Sequence, residues 1–143
     1  MSRILLDTNV LLSYVTDRDP QQQETASVLF EAAAAREHEL ILTQAVSTEM
    51  VYVLASYYKT RPSTIAGLLK EVLAWPGLVT HDELVWTTLL ELWPERIPDF
   101  ADAVLAATAT TGRFDAIATF DRSFAKRLVR EGLSSWWNPS TLR

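Results

Sequence analysis

Four acidic residues, Asp7, Glu49, Asp102 and Asp121, are the part of this sequence whose types and positions suggest chemistry. Carboxylates are hard oxygen ligands. They suit magnesium or manganese, which take few protein ligands and keep several waters. Asp7 directly follows the apolar run Ile4-Leu5-Leu6, and Asp121 lies just past the run Ala116–Thr119. Both runs read as short buried strands. In a parallel sheet all strand C-termini share one edge, where ligands bind, so neighbouring strands would bring Asp7 and Asp121 together. Glu49 and Asp102 fall in helical segments instead. At the helical period Glu49 stands at the shoulder of the stripe Val46–Met50–Val53–Tyr57. Asp102 sits among Ala101, Ala103, Val104, Ala106 and Ala107, small residues that let a helix pack closely. An ionised carboxylate near a buried surface is costly unless it is paired or binds a metal.

Each acid alone has a simpler reading. Asp7, Asp99 and Asp121 each precede a helical segment and read as N-caps. Glu49 reads as one half of an ion pair. Asp99, three residues before Asp102 on the same helix flank, is as much a cap as a helper to the cluster. The four together shift the balance modestly toward metal binding. Two end strands, two lie on core-facing helices, and only Asp121 has Lys or Arg close by in sequence.

The elements that must position these acids follow from the apolar pattern. Strands are expected at Arg3–Leu6, Glu39–Thr43, Leu78–Thr80 and Ala116–Thr119, with a fifth near Leu133–Trp136. Helices are expected from Val10 to Val15, from Pro20 to Ala35, from Val46 to a stop before Pro62, and over Pro62–Ala74. Further helices are expected over Asp82–Leu92, over Phe100–Thr111 with a stop at Gly112, and over Arg122–Arg130. Strands separated by helices imply an α/β fold of three layers, with a central parallel sheet of four to five short strands. No linker or repeat divides residues 1–143, and the length suits a single domain. A chain of 143 residues buries roughly 68–70% of its unfolded surface, enough for a core without staples.

Composition removes several classes of function. The absence of cysteine excludes disulfides, thiolate zinc sites and a cysteine nucleophile. The four glycines form no phosphate-cradling loop. No basic leader precedes an apolar stretch, and no apolar run approaches the roughly 20 residues of a membrane span, so a cytoplasmic protein is expected. The net charge of −5 argues at first against a nucleic-acid partner. However, Arg122, Lys126 and Arg130 repeat four residues apart and could face phosphates, or simply water. Trp75, Trp86, Trp93, Trp136 and Trp137 could stack on bases, although burial or a dimer interface suits most of them better. His38 and His81 lack any partner pattern and are read as structural.

The local strings are more specific than the spacing. Ile4-Leu5-Leu6-Asp7-Thr8-Asn9-Val10-Leu11-Leu12 resembles the opening strand and turn of the PIN domain family. Thr48-Glu49-Met50-Val51-Tyr52-Val53-Leu54 resembles its second acidic motif, and Asp99-Phe100-Ala101-Asp102-Ala103-Val104-Leu105-Ala106-Ala107 its third. Ala118-Thr119-Phe120-Asp121-Arg122-Ser123-Phe124 is similar to its fourth. The order is right, and the length is that of the single-domain VapC-like toxins. The resemblance implies an endoribonuclease dependent on Mg²⁺ or Mn²⁺, with one or two ions at Asp7, Glu49, Asp102 and Asp121. It also implies supporting roles for Asn9 and Thr119, with Asp99 a plausible helper. The implied partners are RNA, a cognate antitoxin and a second copy of the chain. The alternative is a catalytically weak PIN-like module that binds RNA or protein, whose usual sign is loss of one or more acids. A haloacid-dehalogenase-like phosphatase would want a second Asp where Asn9 stands.

Overall fold

The computed structural model describes residues 1–136. The expected strand at the C-terminal end is present as far as Trp136, whereas Trp137 lies outside the described residues.

The most apolar strand is the centre of the sheet. In β1 (Ser2–Leu6) the side chains of Ile4, Leu5 and Leu6 are fully buried, as expected of a strand covered on both faces. The chain then forms α1 (Thr8–Val15), α2 (Pro20–Ala34), β2 (His38–Leu42), α3 (Gln44–Ser56), α4 (Pro62–Leu73) and β3 (Leu78–Thr80). It continues as α5 (Trp86–Leu92), α6 (Phe100–Gly112), β4 (Ala116–Ala118), α7 (Arg122–Arg130) and β5 (Ser135–Trp136). All five strands are parallel, in the order β3-β2-β1-β4-β5. Growth runs one way from β1 through β2 and β3, then reverses to β4 and β5. Helices cover both faces, giving the expected three-layer α/β/α fold. The reversal puts a switch point between β1 and β4, where the crevice of such a sheet opens at the strand C-termini.

Helix starts are fixed by side chains from the preceding loop. Asp7, Asp19, Thr43, Asp99 and Asp121 each accept a hydrogen bond from the first turn of the helix they precede. One expected start is corrected. The helix read as Asp82–Leu92 begins only at Trp86, because the Asp82 carboxylate accepts from the Gln44 backbone N–H (3.1 Å) instead of capping its own turn. The extended segment after β3 is thereby tied to the start of α3.

Two glycines have packing reasons that the sequence hid. The helix stop expected at Gly112 falls one residue later, with Arg113 in the left-handed conformation. Gly112 makes room: a Cβ there would lie 2.5 Å from the Phe114 ring. Gly77 combines φ +86° with a Cβ position 2.5 Å from the Ala33 carbonyl oxygen. Gly77→Ala is expected to destabilise the protein by about 2–4 kcal/mol, from backbone strain and a backbone clash together. The midpoint of urea unfolding checks this, and an unchanged midpoint would contradict it.

The tryptophans divide as the pattern suggested. Trp75 donates from Nε1 to the Phe30 carbonyl (2.7 Å) and packs edge-on against the stacked pair Tyr14 and Phe30. Trp93 and Trp136 also pack against the core. Trp86 is 63% exposed. Among the described residues no helix is long and apolar enough to cross a membrane.

Candidate active site

The switch point brings Asp7, Asn9 and Thr119 into direct contact. Asp7 leaves β1 with its backbone N–H bonded to the Ala118 carbonyl of β4 (3.0 Å), which locks the two strand ends together. Its Oδ1 accepts from the Thr8 N–H (2.7 Å); its Oδ2 accepts from the Thr119 hydroxyl (2.7 Å) and the Asn9 amide (3.2 Å). Asn9 reaches the other way too, as its Oδ1 accepts from the Phe120 N–H (3.0 Å). The Thr119 hydroxyl also accepts from the Asp121 N–H (3.0 Å). One hydroxyl therefore joins the end of β1 to the turn that carries Asp121. Asn9 and Thr119 hold Asp7 in place.

The capping readings are all realised. Asp7 caps α1, Asp121 caps α7 through Oδ1 to the Phe124 N–H (3.1 Å), and Asp99 caps α6 through Oδ1 to the Asp102 N–H (3.0 Å). Capping uses one oxygen of Asp99 and of Asp121. The two functions are compatible, because the second oxygen remains for other work.

Burial and mutual charge set the electrostatics. Burial raises the Asp7 carboxyl from 3.8 to about 6 against the pull of its hydrogen bonds, and the charges of Glu49 and Asp121 add to the rise. Asp102 is raised to about 7, first by burial and then by Asp99, Asp7, Asp121 and Glu49. Its carboxyl feels the charge of all four of the others. Glu49 is raised by partial burial and by Asp99, with the Thr8 side chain opposing. The Thr8 hydroxyl is buried and makes no hydrogen bond of ordinary geometry. Among the described residues the ion pairs are Arg3–Glu39 and Arg96–Glu131, and neither reaches this cluster.

Among the described residues, none of these five carboxyl groups forms an ion pair. Among the described residues, no three acidic or histidine side chains are arranged to hold an ion directly between them. The donor set still fits a hard divalent cation. Such an ion keeps most of its water shell and takes one or two carboxylates. The unpartnered Thr8 hydroxyl, buried beside Asp7 and facing Glu49, is the kind of group a metal-bound water would satisfy.

A model of the PIN domain family matches residues 3–123. The chain belongs to that family. No curated protein sequence matches it. Solved structures with the same PIN fold include VapC20 from Mycobacterium tuberculosis, a sarcin–ricin loop cleaving toxin. It is 16% identical over 93% of this chain and 98% of that chain, with a TM-score of 0.67. Another is VapBC2 from Rickettsia felis bound to a DNA fragment from its promoter, 16% identical over 87% and 92%, with a TM-score of 0.64. At that identity the likeness speaks for the PIN fold.

Not every expectation about the site holds in detail. Glu49 stands beside the buried stripe of α3 and is only partly buried, but that stripe is Val46, Met50 and Leu54 and does not extend to Tyr57, which is 78% exposed. Arg122, Lys126 and Arg130 do share an exposed face of α7, opposite Phe124, Ala125 and Leu128. Arg122 adjoins Asp121, whereas Arg130 lies eight residues on, roughly 12 Å along the axis. Thr8 was legible only as part of a turn; its buried, unpartnered hydroxyl depends on packing that no local spacing reports.

Proposed function

We propose that this PIN domain protein is a metal-dependent endoribonuclease and the toxin of a toxin–antitoxin pair, acting in the cytoplasm. The observation that carries the reading is the switch point itself, where Asn9 and Thr119 hold the Asp7 carboxylate and the Thr119 hydroxyl ties it to the turn that carries Asp121. Family membership and the likeness to VapC structures support it. Asp7, Glu49, Asp102 and Asp121 would hold Mg²⁺ or Mn²⁺, as one ion or two. A bound ion supplies an acidified water and neutralises charge on the scissile phosphate.

The protein's own residues do the rest. Asn9 and Thr119 hold Asp7 Oδ2 between them. Asp121 is fixed by the first turn of α7, and Asp99 stiffens the turn that presents Asp102. Water attacks phosphorus, the bond to the 3′ oxygen breaks, and the products carry a 5′ phosphate and a 3′ hydroxyl. Because water is the nucleophile, the RNA 2′ hydroxyl has no covalent role. The acidic crevice suits an antitoxin that fills it with an arginine, and the toxin itself is expected to be a homodimer. The alternative, a weak PIN-like binding module, is disfavoured because all four acids are retained.

Cleavage of an RNA panel with Mn²⁺ or Mg²⁺, repeated in excess chelator, tests the proposal. Metal-dependent cleavage leaving 5′ phosphates is expected; full activity in chelator would overturn it. In a second test, replacing Arg122 and Lys126 together by alanine should weaken RNA binding. The dependence of affinity on salt should also become shallower, by roughly one to two charges. Unchanged affinity and salt slope would make the α7 face a solvated surface only.

A further inference from the structure

We propose that the cavity between α3, α6 and the segment after β3 is a nucleobase pocket that selects guanine beside the phosphodiester cut at the acidic cluster. This rests on the nuclease reading above. The cavity holds about 380 Å³ and is lined by Thr43, Thr48, His81, Glu83, Val104 and Thr108 among others. That volume is ample for one base. Its walls come from the two helices that carry Glu49 and Asp102. Ala45, which also lines the cavity, lies one turn before Glu49 on the same face of α3. An RNA strand lying on Glu49 therefore has a neighbouring base at the mouth of the cavity.

The polar groups indicate what enters. His81 has an Nε2 that is buried with no hydrogen-bond partner, while its ring is set edge-on to Phe114 (4.9 Å between centroids). A buried ring nitrogen without a partner is costly, and a base entering beside His81 would supply one. The Glu83 carboxylate lines the same cavity and forms no ion pair among the described residues. Asp82 is anchored beside it on the Gln44 N–H, which fixes the segment. Two carboxylates repel a phosphate but accept hydrogen bonds from a base. Guanine offers two adjacent donors, N1–H and the N2 amino group, which match a carboxylate's two oxygens. Its O6 and N7 accept, and in the Nε2-protonated tautomer His81 donates. Uracil lacks the amino group, which makes it the discriminating control.

The experiment maps cleavage sites in a randomised RNA with wild-type protein, His81→Ala and Glu83→Gln. The wild type should favour guanine by about tenfold or more at one position flanking the cut, and both variants should reduce that ratio severalfold. An unchanged ratio in both variants overturns the pocket. A second readout uses no cleavage: guanosine and uridine are titrated in chelator while the His81 imidazole resonances are followed by NMR. Shifts with guanosine and not with uridine support the pocket even if the protein cuts no RNA, which separates its fate from that of the nuclease reading. Absence of shifts with guanosine, or equal shifts with both nucleosides, overturns it.

Discussion

Asp7→Asn is expected to abolish metal-dependent RNA cleavage, lowering the rate by about 10³-fold or more, while the protein stays folded. The isosteric amide keeps an oxygen for the Thr8 N–H, so the α1 cap survives. Oδ2 is replaced by an amino group, which faces the Asn9 amide as donor against donor and can no longer ligate a cation. The substitution therefore removes a ligand without opening a cavity. Asn9→Ala should be milder, about 10- to 100-fold, because Asn9 acts through Asp7. Rates with saturating RNA, circular dichroism and direct Mn²⁺ titration would be read together. Cleavage by Asp7→Asn at the wild-type rate would remove Asp7 from the machinery.

The second large effect is on stability without metal. Asp7 and Asp102 bind their protons more tightly folded than unfolded, since their carboxyls are raised from 3.8 to about 6 and about 7. For an acid shifted upward, folding is unpenalised below the unfolded pKa. Stability is then lost as pH rises toward the folded value. The window runs from 3.8 to about 6 for Asp7 and to about 7 for Asp102. The full loss from Asp7, a shift of about two units, is on the order of 3 kcal/mol. Asp102 is only half-buried and water screens part of its cost, so it contributes less than its shift suggests.

Metal-free protein should thus gain stability on going from about pH 8 to about pH 5 relative to Asp102→Asn, whose profile should be flatter. Added Mn²⁺ at the higher pH should supply the same gain by mass action, because it binds only the assembled cluster. Chemical denaturation across pH, with and without the ion, measures both. Parallel wild-type and Asp102→Asn profiles would mean that Asp102 carries no such strain.

Much of this fold was legible because its strands are short apolar runs ended by turn residues. Ile4–Leu6 and Ala116–Ala118 allow no other reading once helices are seen between them. The order of the strands was not legible. Nothing local says that β4 pairs with β1 and not with β3, yet that pairing is what joins Asp7 to Thr119. The start of α5 was misread because Asp82 bonds across the fold to Gln44, a contact 38 residues away. The stripe of α3 was extended to Tyr57 by periodicity alone, although the core ends at Leu54. The four acids were found from their motifs, whereas the coupling of Asp102 to all the others follows from topology. The unpartnered Nε2 of His81 depends on packing that no local pattern around it reports.

The bond from the Thr119 hydroxyl to Asp7 spans 112 residues, and this has a consequence for synthesis. A ribosome making this chain exposes Asp7 first and Asp121 last, so the full set of acids cannot assemble until β4 and the turn after it have left the exit tunnel. For the proposed nuclease, every partial chain is inert.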